Sequence, residues 1–197
     1  MQSVTATPES TQAPMPPRPT LRLARPADRR AIVALQRLSL RELGRGHYTG
    51  RQIESYLRHT ETLEPYLVAD CSYFVACVGG AIAGCGGWSL KAPAYAAVTR
   101  EAGIGAGMPR PKVRAMYVHP EFSRRGIGRA LLGTIEAAIA SAGFGEAALD
   151  ATLPGVALYE RCGYRAVGET CAELPDGERL RFICMRKTLA PCTGATR

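Results

Sequence analysis

The sequence predicts a single α/β domain built on a mixed, mostly antiparallel sheet with helices on both faces. Three observations predict it. A chain of 197 residues that is 46% hydrophobic has the size and apolar content of one domain with a real core. A Gly79-Gly80 pair lies between two strand-like runs, as a tight antiparallel hairpin requires. Residues 113–118 read as a strand, and shortly after them Ile127, Leu131, Ile135 and Ile139 recur every fourth residue, an apolar stripe that must pack on a sheet.

The elements follow in order. Residues 1–19 are rich in Ser, Thr, Pro and Gln without hydrophobic period and read as a disordered tail; 190–197 read the same way, so the folded domain is expected over 20–189. Residues 20–24 alternate like a short strand, and Pro26 with Asp28 opens a helix whose Ile32, Leu35 and Leu38 are expected to face the core. Thr49 and Gln52 have capping-box spacing ahead of a second helix that gathers Ile53, Tyr56 and Leu57 on one face. The polar loop before it carries His47 and Tyr48. Residues 72–89 form the hairpin, and the Ala/Gly/Pro-rich stretch 91–111 reads as a long loop. After the 113–118 strand come a helix over 126–142 and a strand over 147–151. A helix opened by Pro154 then ends at Gly163. Two last strands, 164–167 and 179–189, flank a turn at Pro175-Asp176-Gly177.

Composition narrows the function classes. No apolar run approaches the length of a membrane span, because Glu136 interrupts the best candidate, and the N-terminal stretch lacks the basic and apolar regions of a secretory signal. Seven scattered cysteines with no C-x-x-C pair point to the cytoplasm, to no metal site and, for most of them, to use as small core hydrophobes. The net charge of +8 invites an anionic partner. All but three of its 25 basic residues are arginines, spread along the chain rather than clustered with aromatics, which argues against nucleic acid. The local concentration is Arg124, Arg125 and Arg129 around Gly126, Ile127 and Gly128.

That concentration sits between a strand and an amphipathic helix, where free backbone N–H groups, the helix dipole and glycine's small size together favour an anion. A dinucleotide fingerprint fits poorly: the third glycine position holds Leu131 and a loop over 119–125 separates strand from glycines, although Asp150 lies at about the acidic spacing. A P-loop would need a Gly-Lys-Ser/Thr run, which is absent.

The segments MYVHP, SRRGIGRALL, AALDATL and ALYERCGYRAVGE, in this order, resemble the core pattern of the GNAT superfamily of acetyl-CoA-dependent N-acetyltransferases. The resemblance spans about residues 20–189, with the motifs in the second half. It implies transfer of an acetyl group from acetyl-CoA to a primary amine of a small molecule or protein, and strands 113–118 and 147–151 that splay to admit the cofactor. It also implies that the backbone of Met116, Tyr117 and Val118 pairs with the pantetheine arm, with the Val118 amide as the oxyanion donor. The N–H groups from Arg124 through Arg129 would hold the pyrophosphate. Tyr159 would protonate the departing thiolate. Homodimers are common in the family.

Two positions depart from the pattern: Ser123 stands where the family has Arg or Gln, and Thr152, grouped with the cofactor-binding positions, stands where it usually has Asn. A third departure concerns the base, since Arg114 occupies the strand in which some members carry a glutamate, and no base is assigned. For the acceptor side, His47 and Tyr48 border the expected site and Asp150 could accept a hydrogen bond from an amine. Trp88 is read either as a wall of the acceptor pocket or as core. A second reading, a protein that binds acetyl-CoA without turning it over, stands beside the enzyme.

Overall fold

The computed structural model describes residues 18–91 and 110–190. Residues 1–17 and 191–197 of the expected tails, Cys192 among them, and residues 92–109 of the long loop lie outside the described residues. Seven strands form one sheet: β1 (Thr20–Leu23), β2 (Tyr73–Val78), β3 (Ala81–Ser89), β4 (Lys112–Val118), β5 (Glu146–Thr152), β6 (Arg165–Glu173) and β7 (Arg179–Thr188), in the spatial order β1-β2-β3-β4-β5-β7-β6. Neighbours are antiparallel except for the parallel pair β4 and β5. The helices are α1 (Arg29–Leu43), α2 (Gly50–His59), α3 (Pro65–Ala69), α4 (Ile127–Ser141) and α5 (Val156–Arg161). The α/β expectation, with a mixed and mostly antiparallel sheet, is met.

Strand alternation decides which helix covers which face. Tyr73 and Val75 of β2 turn toward Ile32 and Leu35 of α1, whereas Ala76 turns the other way, with Ala83, onto Ile127 and Leu131 of α4. Past the middle of the sheet the division continues. Ala172, Leu180 and Phe182 meet Ile53, Tyr56 and Leu57 of α2, while Leu149 and Met185 meet Ile135 and Ile139 of α4 and Tyr159 of α5. The four-residue stripe of α4 is buried throughout. The α2 capping box forms as spaced, Thr49 Oγ1 accepting from the Gln52 N–H and Gln52 Oε1 from the Thr49 N–H.

Gly84 brings α4 close. A Cβ there would lie 2.8 Å from both Ile127 Cγ2 and Leu131 Cδ1, so only a residue without a side chain lets the first turns of α4 rest directly on β3. The N-terminus of α4 therefore sits beside the end of β4. Farther along, β4 and β5 pair only at their base among the described residues, with Lys112 opposite Ala148, while β5 pairs with β7 along its whole length. The sheet is continuous on either side of a gap.

Four expectations are corrected. Leu38 is 38% exposed, and the buried face of α1 runs through Ile32, Leu35, Gln36 and Ser39. At 100° per residue Leu38 falls well away from that stripe. β6 continues to Glu173 instead of stopping at 167; as an edge strand exposed over most of its length, it carries no apolar alternation to betray it. The five-residue α3, opened by Pro65, was not expected at all. Of the six described cysteines only Cys85 is buried; Cys71 is exposed and the other four are half-buried. No helix among the described residues is long and apolar enough to cross a membrane.

Candidate active site

The gap is shaped by an irregularity in β4. Between the pairs Cys85↔Tyr117 and Gly87↔Arg114, β3 advances two residues and β4 three, so β4 carries a bulge. Ala115, within it, has φ +46°, a left-handed conformation that costs an L-residue about 1–2 kcal/mol. Beyond the bulge the strand alternates regularly again. His119 donates its N–H to the Ala83 carbonyl (2.9 Å), so the N–H and C=O of Val118 face away from β3, into the gap.

A groove of about 570 Å³ runs through this opening. Met116, Tyr117 and Val118 form its β4 wall, the turn from Ser123 to Arg129 one end through Arg124, Gly126, Gly128 and Arg129, and Thr152 with Tyr159 its β5 and α5 side. Arg124 and Gly126 both adopt left-handed φ, +62° and +82°, which curls the loop into a concavity of backbone donors of the kind that holds anions. The first bond back into the helix comes from the Ala130 N–H to the Gly126 carbonyl (3.0 Å), leaving the N–H groups of Ile127, Gly128 and Arg129 available. The Ile127 side chain itself is buried in the core, so only its backbone belongs to the site. Arg125 points elsewhere, its guanidinium carbon 5.6 Å from the centroid of the Phe122 ring.

Across the gap lies a smaller chamber of about 60 Å³, and Met116, Tyr117, Thr152 and Tyr159 line both spaces. Three carboxylates border the chamber: Glu61, Glu64 and Asp150. Glu64 is buried and accepts the Tyr66 hydroxyl; Glu61 pairs with Arg29 at the rim; Asp150 pairs with Lys112 at 3.2 Å. Arg114 also borders it, buried, donating Nη2 to the Lys91 carbonyl at 3.0 Å. Tyr159 stands where the two spaces meet. It is buried, its hydroxyl makes no hydrogen bond to a described residue, and burial pushes the phenol well above its ordinary pKa, so it keeps its proton.

Two acceptor-side candidates are not brought to these spaces. Trp88 packs edge-on against Phe144, ring centroids 6.1 Å apart, as part of the core. The hydroxyl of Tyr48 donates to the Arg181 carbonyl (2.7 Å) and accepts the Leu153 N–H (2.8 Å), clamping the segment after β5 onto β7. Tyr48→Phe would leave two backbone groups without that partner and is expected to cost about 1–3 kcal/mol of stability, measurable by denaturant unfolding. Burial pushes the Tyr48 phenol up to about 12 from 10.0, so its contribution is complete below pH 10 and is lost as pH rises from there toward 12. His47, in contrast, does line the groove, as does Arg161 at the last turn of α5, which the sequence reading missed because only the folding of α5 against α4 brings it there. Glu61 and Glu64 were missed as well, because the connection between α2 and α3 carries them to the chamber only in the folded chain.

A family model described as an acetyltransferase (GNAT) domain matches residues 69–166, the stretch that contains both edges of the gap, α4 and Tyr159. The chain belongs to the GNAT superfamily. Solved structures of GNAT proteins share its fold. A GCN5-related N-acetyltransferase from Rhodopseudomonas palustris superposes with a TM-score of 0.70 at 20% identity, over 90% of this chain and 100% of that one. The PaiA N-acetyltransferase from Thermoplasma acidophilum, in complex with coenzyme A, gives 0.59 at 18% identity over 86% and 98%. A ribosomal-protein-alanine N-acetyltransferase from Brucella melitensis gives 0.57 at 17% over 86% and 99%. At these identities the likeness is one of fold. No curated protein matches the chain. The GNAT fold accounts for the parallel pair that parts beyond its base, the expected splay of β4 and β5.

Proposed function

We propose that this GNAT protein is an acetyl-CoA-dependent N-acetyltransferase acting on a primary amine. The observation that carries the reading is the meeting of two spaces at Tyr159: a long groove ending in free helix N–H groups and arginines on one side, and a carboxylate-bordered chamber on the other. The donors of the Arg124–Arg129 turn suit a pyrophosphate, and the outward-facing N–H and C=O of Val118 suit a pantetheine amide or the thioester carbonyl. Glu64 and Asp150, with Glu61 at the rim, suit an ammonium approaching from the chamber. The amine must shed a proton before its lone pair can attack, and a chamber carboxylate or solvent takes it. As the C–N bond forms and the C–S bond breaks, Tyr159 gives its proton to the leaving thiolate and regains one from solvent, while the acetylated nitrogen sheds its extra proton to solvent.

Arg114 favours the second reading, because a buried guanidinium occupies the strand in which some family members place a basic carboxylate. Calorimetric titration with acetyl-CoA, with NAD as control, followed by thiol release against a panel of amines, separates the two. Saturable acetyl-CoA binding with thiol release to any amine is the expected result. Binding without release across the panel would transfer the case to a non-catalytic acetyl-CoA-binding protein, and no binding would remove both. Scattered cysteines with no C-x-x-C pair support a cytoplasmic setting for the reaction.

A further inference from the structure

The residues that hold the β4 bulge lie outside the groove. Tyr73 of β2 donates its hydroxyl to the Ala115 carbonyl at 2.6 Å and accepts from Gln36 Nε2 of α1 at 2.9 Å. To reach β4 the Tyr73 side chain must cross β3, and it does so at Gly87, where a Cβ would lie 2.6 Å from Tyr73 Cδ2. Gln36 and Tyr73 are both fully buried, so neither has water as an alternative partner. Burial also keeps the Tyr73 phenol neutral and therefore a donor.

The bulge matters to every backbone group after it. Because the direction of a strand's N–H groups alternates residue by residue, one extra residue decides which of them face β3 and which face the gap. With the bulge, Tyr117 lies opposite Cys85 and Val118 is turned outward. Without it, the two would exchange roles. We propose that Gln36 and Tyr73 form a buried brace that fixes the bulge at Ala115 and so aims the Val118 N–H at the acyl carbonyl, which makes Tyr73 a positioning residue of the transfer. This rests on the transferase reading above.

The test is infrared difference spectroscopy of acetyl-CoA carrying carbon-13 at the acetyl carbonyl, bound to the full-length protein, to Tyr73→Phe and to Tyr73→Phe/Ala115→Gly. A hydrogen bond to the carbonyl lowers its stretching frequency, a signature that a loss of stability alone does not move. Wild type is expected to show a red-shift relative to free acetyl-CoA. Tyr73→Phe is expected to keep acetyl-CoA affinity within about threefold while losing about half or more of that shift. Glycine at 115, at ease at positive φ without a brace, is expected to restore it. An unchanged shift in Tyr73→Phe, or no restoration in the double variant, overturns the inference. If Tyr73→Phe does not fold, Gln36→Leu decides the matter by the same comparison. A wild-type protein that binds no acetyl-CoA overturns the transferase reading itself, a result distinct from a bound thioester whose carbonyl is no longer polarised.

Discussion

Tyr159→Phe is expected to lower kcat for acetyl transfer by about 10²–10⁴-fold, the usual worth of a positioned acid, while acetyl-CoA affinity stays within about twofold. The substitution isolates the hydroxyl. The ring packs against Tyr164 with centroids 5.7 Å apart, and phenylalanine keeps that contact. The hydroxyl has no described partner, so its removal strands no buried group. The pH dependence follows from the sign of the shift. Burial raises the phenol above 10.0, so the donating form is fully present below pH 10 and no alkaline limb in that range belongs to Tyr159. Wild type and variant should therefore give pH profiles of the same shape below pH 10, differing in height. A variant that retains more than about half of kcat would show that the sulfur leaves without this donor.

What was legible in the sequence was what local periodicity controls. The four-residue stripe of α4 needs only its own spacing to be recognised, and the Thr49–Gln52 cap and the Gly79-Gly80 turn are complete within four residues or fewer. The glycines and arginines at the start of α4 were legible for the same reason, since the donors and the charges are neighbours in the chain. The acceptor side was not. Nothing in residues 61–64 marks Glu61 and Glu64 as facing the gap; the connection between α2 and α3 puts them there. Tyr48, in a polar loop, looked like an acceptor contact, but its hydroxyl finds its partners 133 and 105 residues away in sequence. Ala115 is the plainest case. Alanine within KVRAMYV is an unremarked strand residue, and its positive φ goes with a hydrogen bond from a tyrosine 42 residues upstream.

Gly126→Val is expected to weaken acetyl-CoA binding by about 10²-fold or more while leaving the fold intact, because this glycine holds a conformation rather than a contact. Its φ is +82°, where a β-branched residue is strained most, yet no atom would meet an added Cβ within 4 Å and the position is exposed. Relief of that strain, about 1–2 kcal/mol for an ordinary L-residue, requires the Gly126 backbone to swing out of the left-handed region. The swing rotates the peptide that joins Gly126 to Ile127 and so redirects the Ile127 N–H, the first free donor of α4. It also breaks the pairing of left-handed Arg124 and Gly126 that curves the loop into a cup. Each hydrogen bond to a charged group is worth about 1.5–3 kcal/mol, so the loss of one or two such donors, added to the strain, supplies the expected factor. The core below is untouched, since Gly84 still admits Ile127 and Leu131 against β3. Thermal unfolding within about 4 °C of wild type, together with a calorimetric Kd raised at least a hundredfold, is the expected pair of results. Retained affinity would place the pyrophosphate away from the α4 N-terminus, and Arg124, Arg129 and Arg161 would then have to hold it without the helix.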